Sequence, residues 1–306
     1  MWLAFAFLSA ALLGGYDVFK KQSLKDNAVI PVLFLNTLFC SLIFIPLIVL
    51  SVAEGWPADG SVFYVPTVGW KVHGYILLKS FIVLSSWLLG YFGIKHLPLT
   101  LVGPINATRP VMVLVGAMLV FGERLNLYQW MGVLLAIVSF FLLSRSGKKE
   151  GIDFRHNRWV LAIVGAAVLG AVSGLYDKYL MASAEHGGIG LHRMVVQSWY
   201  NIYQCLLMGA MLLLLWWPKR KSTTSFHWHW AIVFISLFLS AADFAYFYAL
   251  SLDGALISVV SMVRRGSVIV SFLFGALVFR EKNLKSKAVD LLLILIGMVF
   301  LYLGSR

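Results

Sequence analysis

Apolar runs recur along this chain at lengths that cross a lipid bilayer, and the connections between them are too short to hold a domain. A bilayer core takes roughly 20 helical residues to cross. Nothing inside it satisfies a free N–H or C=O, so a crossing run is helical unless strands close into a barrel. These runs are continuous, without the short alternating segments of a barrel. With 60% of 306 residues hydrophobic and 12% charged, too little charge is present to coat a water-facing surface. The expectation is an all-α polytopic membrane protein.

Ten spans are predicted. The first five cover about 2–20, 29–52, 74–94, 98–121 and 127–145; the second five cover about 159–180, 194–217, 229–251, 255–279 and 287–304. Lys95-His96-Leu97-Pro98 joins the third to the fourth and Ser251-Leu252-Asp253-Gly254 the eighth to the ninth, so these neighbours form antiparallel hairpins. The longest charged connection, 146–158, divides a first repeat, 1–145, from a second, 159–306.

The two halves repeat one another. Ala10-xxx-Gly14-Gly15-Tyr16-Asp17 returns as Gly170-xxx-Gly174-Leu175-Tyr176-Asp177, and Asn36 with Cys40 returns as Asn201 with Cys205. Phe121-Gly122-Glu123-Arg124 returns as Phe279-Arg280-Glu281-Lys282. Five spans is an odd number, so the second repeat enters from the opposite side and the halves are inverted copies, with a site expected between them.

The formal charge of +12 does not mark a nucleic-acid module, because Lys and Arg sit in short connections. Cys40 and Cys205 lie inside spans and imply neither a disulfide framework nor a zinc site. The first span has no basic segment before it and no small-residue cleavage site, so it reads as a working helix rather than a signal peptide. Connections after odd-numbered spans carry most of the basic residues, including Lys20, Lys21, Lys95, Lys148 and Lys219. The positive-inside rule puts these odd loops in the cytoplasm and both termini outside.

The ten spans in two halves, with Gly122-Glu123-Arg124-Leu125 after the fourth and Pro110 thirteen residues before Glu123, resemble the drug/metabolite transporter superfamily, EamA-type. The likeness runs over essentially the whole chain. It departs at Val268, which stands where the second half would carry the proline, and at Arg280-Glu281-Lys282 in place of Gly-Glu-Arg. Members are usually described with cytoplasmic termini, opposite to the charge bias here. The resemblance implies secondary transport of a small organic solute across an inner (plasma) membrane, often export, with the fourth and ninth spans lining a central cavity.

Ionisable groups inside spans are costly unless they face a cavity or a partner. Arg109 in the fourth span aligns roughly with Arg265 in the ninth, and Arg264 sits beside the latter. Guanidinium groups from both repeats suit a carboxylate or phosphate, gripped bidentately; a structural ion pair or snorkelling to an interface would explain them without a solute. Asp17 and Asp177 fall near the ends of the first and sixth spans, where inversion places one at each membrane face as a gate would need. The plainer reading pairs Asp17 with Lys21 one turn on and Asp177 with Lys178. Asp243, aligned with Trp87, has no cation nearby in the sequence and is the candidate for proton coupling, or the partner of Arg264 or Arg265.

Gln197, Tyr200, Asn201 and Gln204 recur at spacings of three and four as one polar stripe, expected to line the cavity; Asn36 faces the same choice between solute contact and helix packing. Trp87, Tyr91 and Tyr246 are candidate aromatic walls. Ala10/Gly14 and Gly170/Gly174 read as close helix packing, and Glu123 and Glu281 as caps or surface pairs.

A secondary transporter of a small anionic or zwitterionic metabolite, working by alternating access, is therefore expected. The partners are the solute and the bilayer, with a proton as candidate coupling ion and no cofactor, metal or nucleic acid; a monomer is compatible with everything above. The alternatives are a flippase for a lipid-linked head group and an intramembrane enzyme. No P-loop and no His-Glu-xx-His occurs, and His227-Trp228-His229 has no carboxylate beside it.

Overall fold

The structure is a computed structural model of the chain, described over residues 2–53, 61–121, 126–148, 151–152, 154, 156–181, 188–252, 260, 263–281 and 284–304. Eleven α-helices are named here: α1 (Trp2–Leu24), α2 (Val29–Ala53), α3 (Trp70–His96), α4 (Leu99–Ala107), α5 (Arg109–Phe121), α6 (Leu127–Lys148), α7 (Arg158–Met181), α8 (Arg193–Met211), α9 (Ala231–Ser251), α10 (Ser267–Leu277) and α11 (Leu284–Gly304). Together they make ten spans, because α4 and α5 are the two parts of the fourth and α10 completes the ninth. Among the described residues, seven helices are each long and apolar enough to cross a bilayer. The expected continuous fourth span is corrected: it breaks at Thr108.

Local chemistry sets the helix ends. Leu97 leaves the helical region at φ −117° and ψ 152°, where Pro98 follows, and Pro98 then opens α4. The last carbonyls of α3 have no helical donors of their own, and Lys21 reaches across to supply them, bonding Ile94 O and Leu97 O at 2.6 Å each. This corrects the expected pairing of Lys21 with Asp17. Asn27 binds the neighbouring connection on the same face, donating to His227 O at 2.7 Å and accepting from His227 N at 2.9 Å.

The large helix interfaces run between the halves. The second span packs on the seventh (α2 on α8), the fifth on the tenth (α6 on α11) and the fourth on the ninth (α4 on α10). The first packs on the eighth (α1 on α9) and the third on the sixth (α3 on α7), which are one contact seen twice under inversion. Serine hydroxyls cross these interfaces in matching places: Ser9 to Ala242 O at 2.6 Å and Ser86 to Ala166 O at 2.7 Å. In lipid the hydrophobic effect does not drive helices together, so close packing and such hydrogen bonds carry the association.

Two apolar clusters occupy the two ends of the bundle. Leu24, Leu97, Leu99 and Val160 belong to the one nearer the odd-numbered loops; Phe44, Ile76, Met194 and Phe247 belong to the other. Leu3, Phe7, Phe81, Leu134 and Leu273 point outward, as lipid-facing side chains do.

Candidate functional site

The break in the fourth span comes from proline. Pro110 has no N–H, so the carbonyl of Asn106 lacks its helical donor. The Thr108 amide bonds Ile105 O at 3.2 Å and its hydroxyl the same carbonyl at 2.7 Å, after which α5 begins at Arg109. The ninth span breaks without a proline, at Gly266, whose amide bonds Val263 O at 2.9 Å. A Cβ on Gly266 would lie 2.9 Å from that carbonyl, so the turn excludes a side chain. Glu123 and Glu281 stand 158 residues apart, and so do Thr108 and Gly266. The breaks are thus equivalent, with Arg109 just after one and Arg265 just before the other, which refines their rough alignment.

Each arginine meets a different environment. Arg264 donates through Nη2 to Asp243 Oδ1, and its guanidinium lies 4.3 Å from the centre of the Tyr246 ring. The other Asp243 oxygen accepts from the Tyr200 hydroxyl. Asp243 is therefore paired with Arg264, one of the two readings that its sequence position left open. Arg109 donates to Asn106 Oδ1 at 3.0 Å, while its buried Nε has no partner. Its guanidinium lies against Gly170, where a Cβ would come within 2.7 Å of Cζ. Gly170 therefore makes room for a guanidinium rather than for a neighbouring backbone. Arg265 pairs with no carboxylate among the described residues and interacts electrostatically with Arg109, Arg264 and Asp17. Arg109, Arg264 and Arg265 all keep some accessible surface.

Asp17 of α1 lies nearer the odd-numbered loops and interacts electrostatically with Arg109 and Arg265. It accepts from Lys20 Nζ at 2.7 Å and from the Ser271 hydroxyl of α10 at 3.3 Å. Lys20 is buried with its ammonium 4.1 Å from the Tyr16 ring centre and 5.3 Å from that of Tyr91. The hydroxyl of Tyr16 donates to that of Tyr91 at 3.4 Å. Tyr91 is thus fully buried beside Lys20 and Tyr16, and Trp87 packs on the same apolar cluster.

Asp177 finds a partner that sequence reasoning missed. Lys79, buried in α3, donates to its Oδ1 and so ties the third span to the sixth. The Lys79 ammonium lies 5.2 Å from the Tyr200 ring centre. A lysine ten residues inside an apolar span is itself the signal that could have found it. Lys287 and Asp290, both buried near the start of α11, were also missed and carry the same kind of signal.

The polar stripe of α8 faces α2 and α9. Gln197, Asn201 and Gln204 are buried, with Asn201 Nδ2 on Gln197 O at 2.9 Å and Gln197 Nε2 on Ser240 O at 3.3 Å. The Ser41 hydroxyl donates to Asn201 O at 2.9 Å, and that of Ser236 to Asn36 O at 3.2 Å. Of the stripe, Tyr200 is the member that reaches a mid-span charge, Asp243.

Glu281 caps a helix of the other half. Arg280 takes the left-handed conformation, φ 49°, and the next carboxylate accepts from the Leu99 amide at 2.7 Å and the Thr100 amide at 2.8 Å. The Thr100 hydroxyl also donates to it and accepts from Lys287 Nζ at 2.9 Å. Negative charge is favoured at a helix N-terminus, and here it fixes the start of α4. Glu123 lies outside the described residues. His227 and His229 serve locally, at 2.8 Å from Ser225 Oγ and 3.0 Å from the Ala231 amide.

Comparison with known proteins gives the frame for these residues. The family model described as "EamA-like transporter family" matches residues 1–145 and again 157–303. A solved structure titled "Crystal structure of protein" superposes with a TM-score of 0.61 over 99% of this chain and 98% of its own, at 15% identity, which speaks to the fold alone. Among curated proteins no relative matches.

Proposed function

This chain belongs to the EamA-like transporter family, and from that premise we propose that it carries a small anionic or zwitterionic organic solute across the inner membrane by alternating access, in the export direction. The observation that carries the reading is that Arg109 and Arg265, one from each half, stand at equivalent helix breaks without a carboxylate partner among the described residues. In lipid such charges are retained where something binds them. Guanidinium groups offer a planar fork that fits carboxylate or phosphate. Arg264 is taken by Asp243 and so holds the ninth span to the eighth, with Tyr246 as its platform.

In this reading Asp177 with Lys79 is the gate on the face of the even-numbered loops, and Asp17 marks the opposite gate. Proton coupling, if Asp243 serves it, requires the Arg264 pair to open during the cycle. The odd-numbered loops lie in the cytoplasm.

The test is thermal stabilisation of the purified protein in detergent by a panel of organic acids, amino acids, sugar phosphates and cationic drugs. A ligand that binds the folded state alone raises its apparent stability by mass action. Stabilisation by anions or zwitterions, lost in Arg265→Ala, is the expected outcome. Stabilisation by cations alone would overturn the reading.

A further inference from the structure

We infer that this transporter is an obligate exchanger, which crosses its occluded state readily only with an anion aboard. The inference rests on the anionic reading above and adds to it the mode of transport and the charge of the cargo.

Four cations stand between the halves, Lys20, Arg109, Arg264 and Arg265, and the described carboxylates that interact with them are Asp17 and Asp243. Each carboxylate is engaged, Asp17 by Lys20 and Asp243 by Arg264. Arg109 is left with a neutral amide, Asn106, and with an unpartnered buried Nε. Arg265 has no hydrogen bond to a described residue, and the charged groups it interacts with are Arg109, Arg264 and Asp17. Of the other described carboxylates, Asp177 is held by Lys79 and Glu281 by the start of α4. Among the described residues, Arg109 and Arg265 are therefore two cations in surplus.

Alternating access passes through a state closed to both sides. Water that reaches Arg109 and Arg265 in an open state is then shut out, and an unpaired buried charge is among the costliest things a membrane protein can hold. A bound dianion, either a dicarboxylate or a phosphate monoester, neutralises both guanidiniums and removes that penalty. A loaded carrier therefore crosses and an empty one does not. Export of one anion is thereby tied to import of another.

The measurement uses the full chain in proteoliposomes, with labelled succinate and labelled glycerol 3-phosphate as probes. Uptake is compared between vesicles preloaded with the same unlabelled anion and vesicles loaded with a neutral sugar. Uptake into preloaded vesicles at least about tenfold faster is expected, since an unpaired charge should slow the empty return by that or more. Equal uptake into both kinds of vesicle would overturn the exchange inference and leave the anion carrier standing. Transport of neither anion, with transport of a cation or a neutral solute, would overturn both, and so would transport of nothing by protein that keeps its thermal transition. Arg265→Gln and Arg109→Gln give a second readout that does not depend on affinity. Removing one surplus charge should lower the ratio of exchange to net uptake; an unchanged ratio in folded variants would sink the idea.

Discussion

Asp17 near the end of α1 takes Lys20 from its own helix at 2.7 Å, whereas Asp177 near the end of α7 takes Lys79 from the other half. The two aspartates hold matching places in an inverted pair of repeats, so symmetry alone would give them matching partners. The offset of 156 residues that aligns Trp87 with Asp243 also aligns Lys79 with Ile235, a buried apolar residue of α9. Asp17 therefore has no cation to meet at that point of the facing helix. The duplication kept the acid at both ends and the cross-half base at one. Asp177 is held by an ion pair between the halves, and Asp17 by a local pair and a serine of α10.

Removing the cross-half pair should have the largest effect. Asp177→Ala leaves Lys79 buried without a carboxylate, a loss of about 3–5 kcal/mol, readable as a lowered thermal transition in detergent. The double variant Lys79→Met/Asp177→Leu should recover most of it; if it does not, the pair is more than a structural tie. Next comes Gly170→Ala, whose new methyl meets the Arg109 guanidinium. Overpacking of this kind costs about 1–3 kcal/mol, and ligand affinity should fall more than stability because the displaced group is the proposed anion contact. Glu281→Ala removes a cap supplied across the halves and should cost about 1–2 kcal/mol in thermal stability; a null result would mean that Lys287 and Thr100 hold α4 by themselves. Asp17→Ala should cost less than Asp177→Ala, because about 2 kcal/mol of the penalty for an unpaired buried cation is offset by the two tyrosine rings that Lys20 keeps beneath it. A loss as large as that of Asp177→Ala would erase the contrast between the two ends.

Much of this was open to reading. Span lengths, the order of the halves and the inventory of mid-span charges all follow from local pattern, because backbone satisfaction in lipid admits one solution for an apolar run. Arg109, Arg264, Arg265, Asp17, Asp177 and Asp243 were each visible as a charge where charge is costly. Their partners were not. Lys21 stands one helical turn after Asp17, yet it caps α3, while Lys20 takes the carboxylate. Asp243 has no cation near it in sequence, yet Arg264 reaches it from the ninth span. The seventh-span stripe has the spacing of a cavity wall and serves largely as a seam between α8, α2 and α9.

The sequence by itself therefore determined that the chain is a ten-span helical bundle in two inverted halves, and which charges it must accommodate inside the membrane. Helix and span are local matters, set by hydrophobicity and hydrogen bonding within some twenty residues. Only the tertiary structure decided which charge meets which, because that depends on the depth and rotation at which two distant helices face one another. The outcome rests on such placements: Lys79 at the level of Asp177, Arg264 at that of Asp243, and Arg109 and Arg265 beside breaks where no carboxylate among the described residues pairs with them.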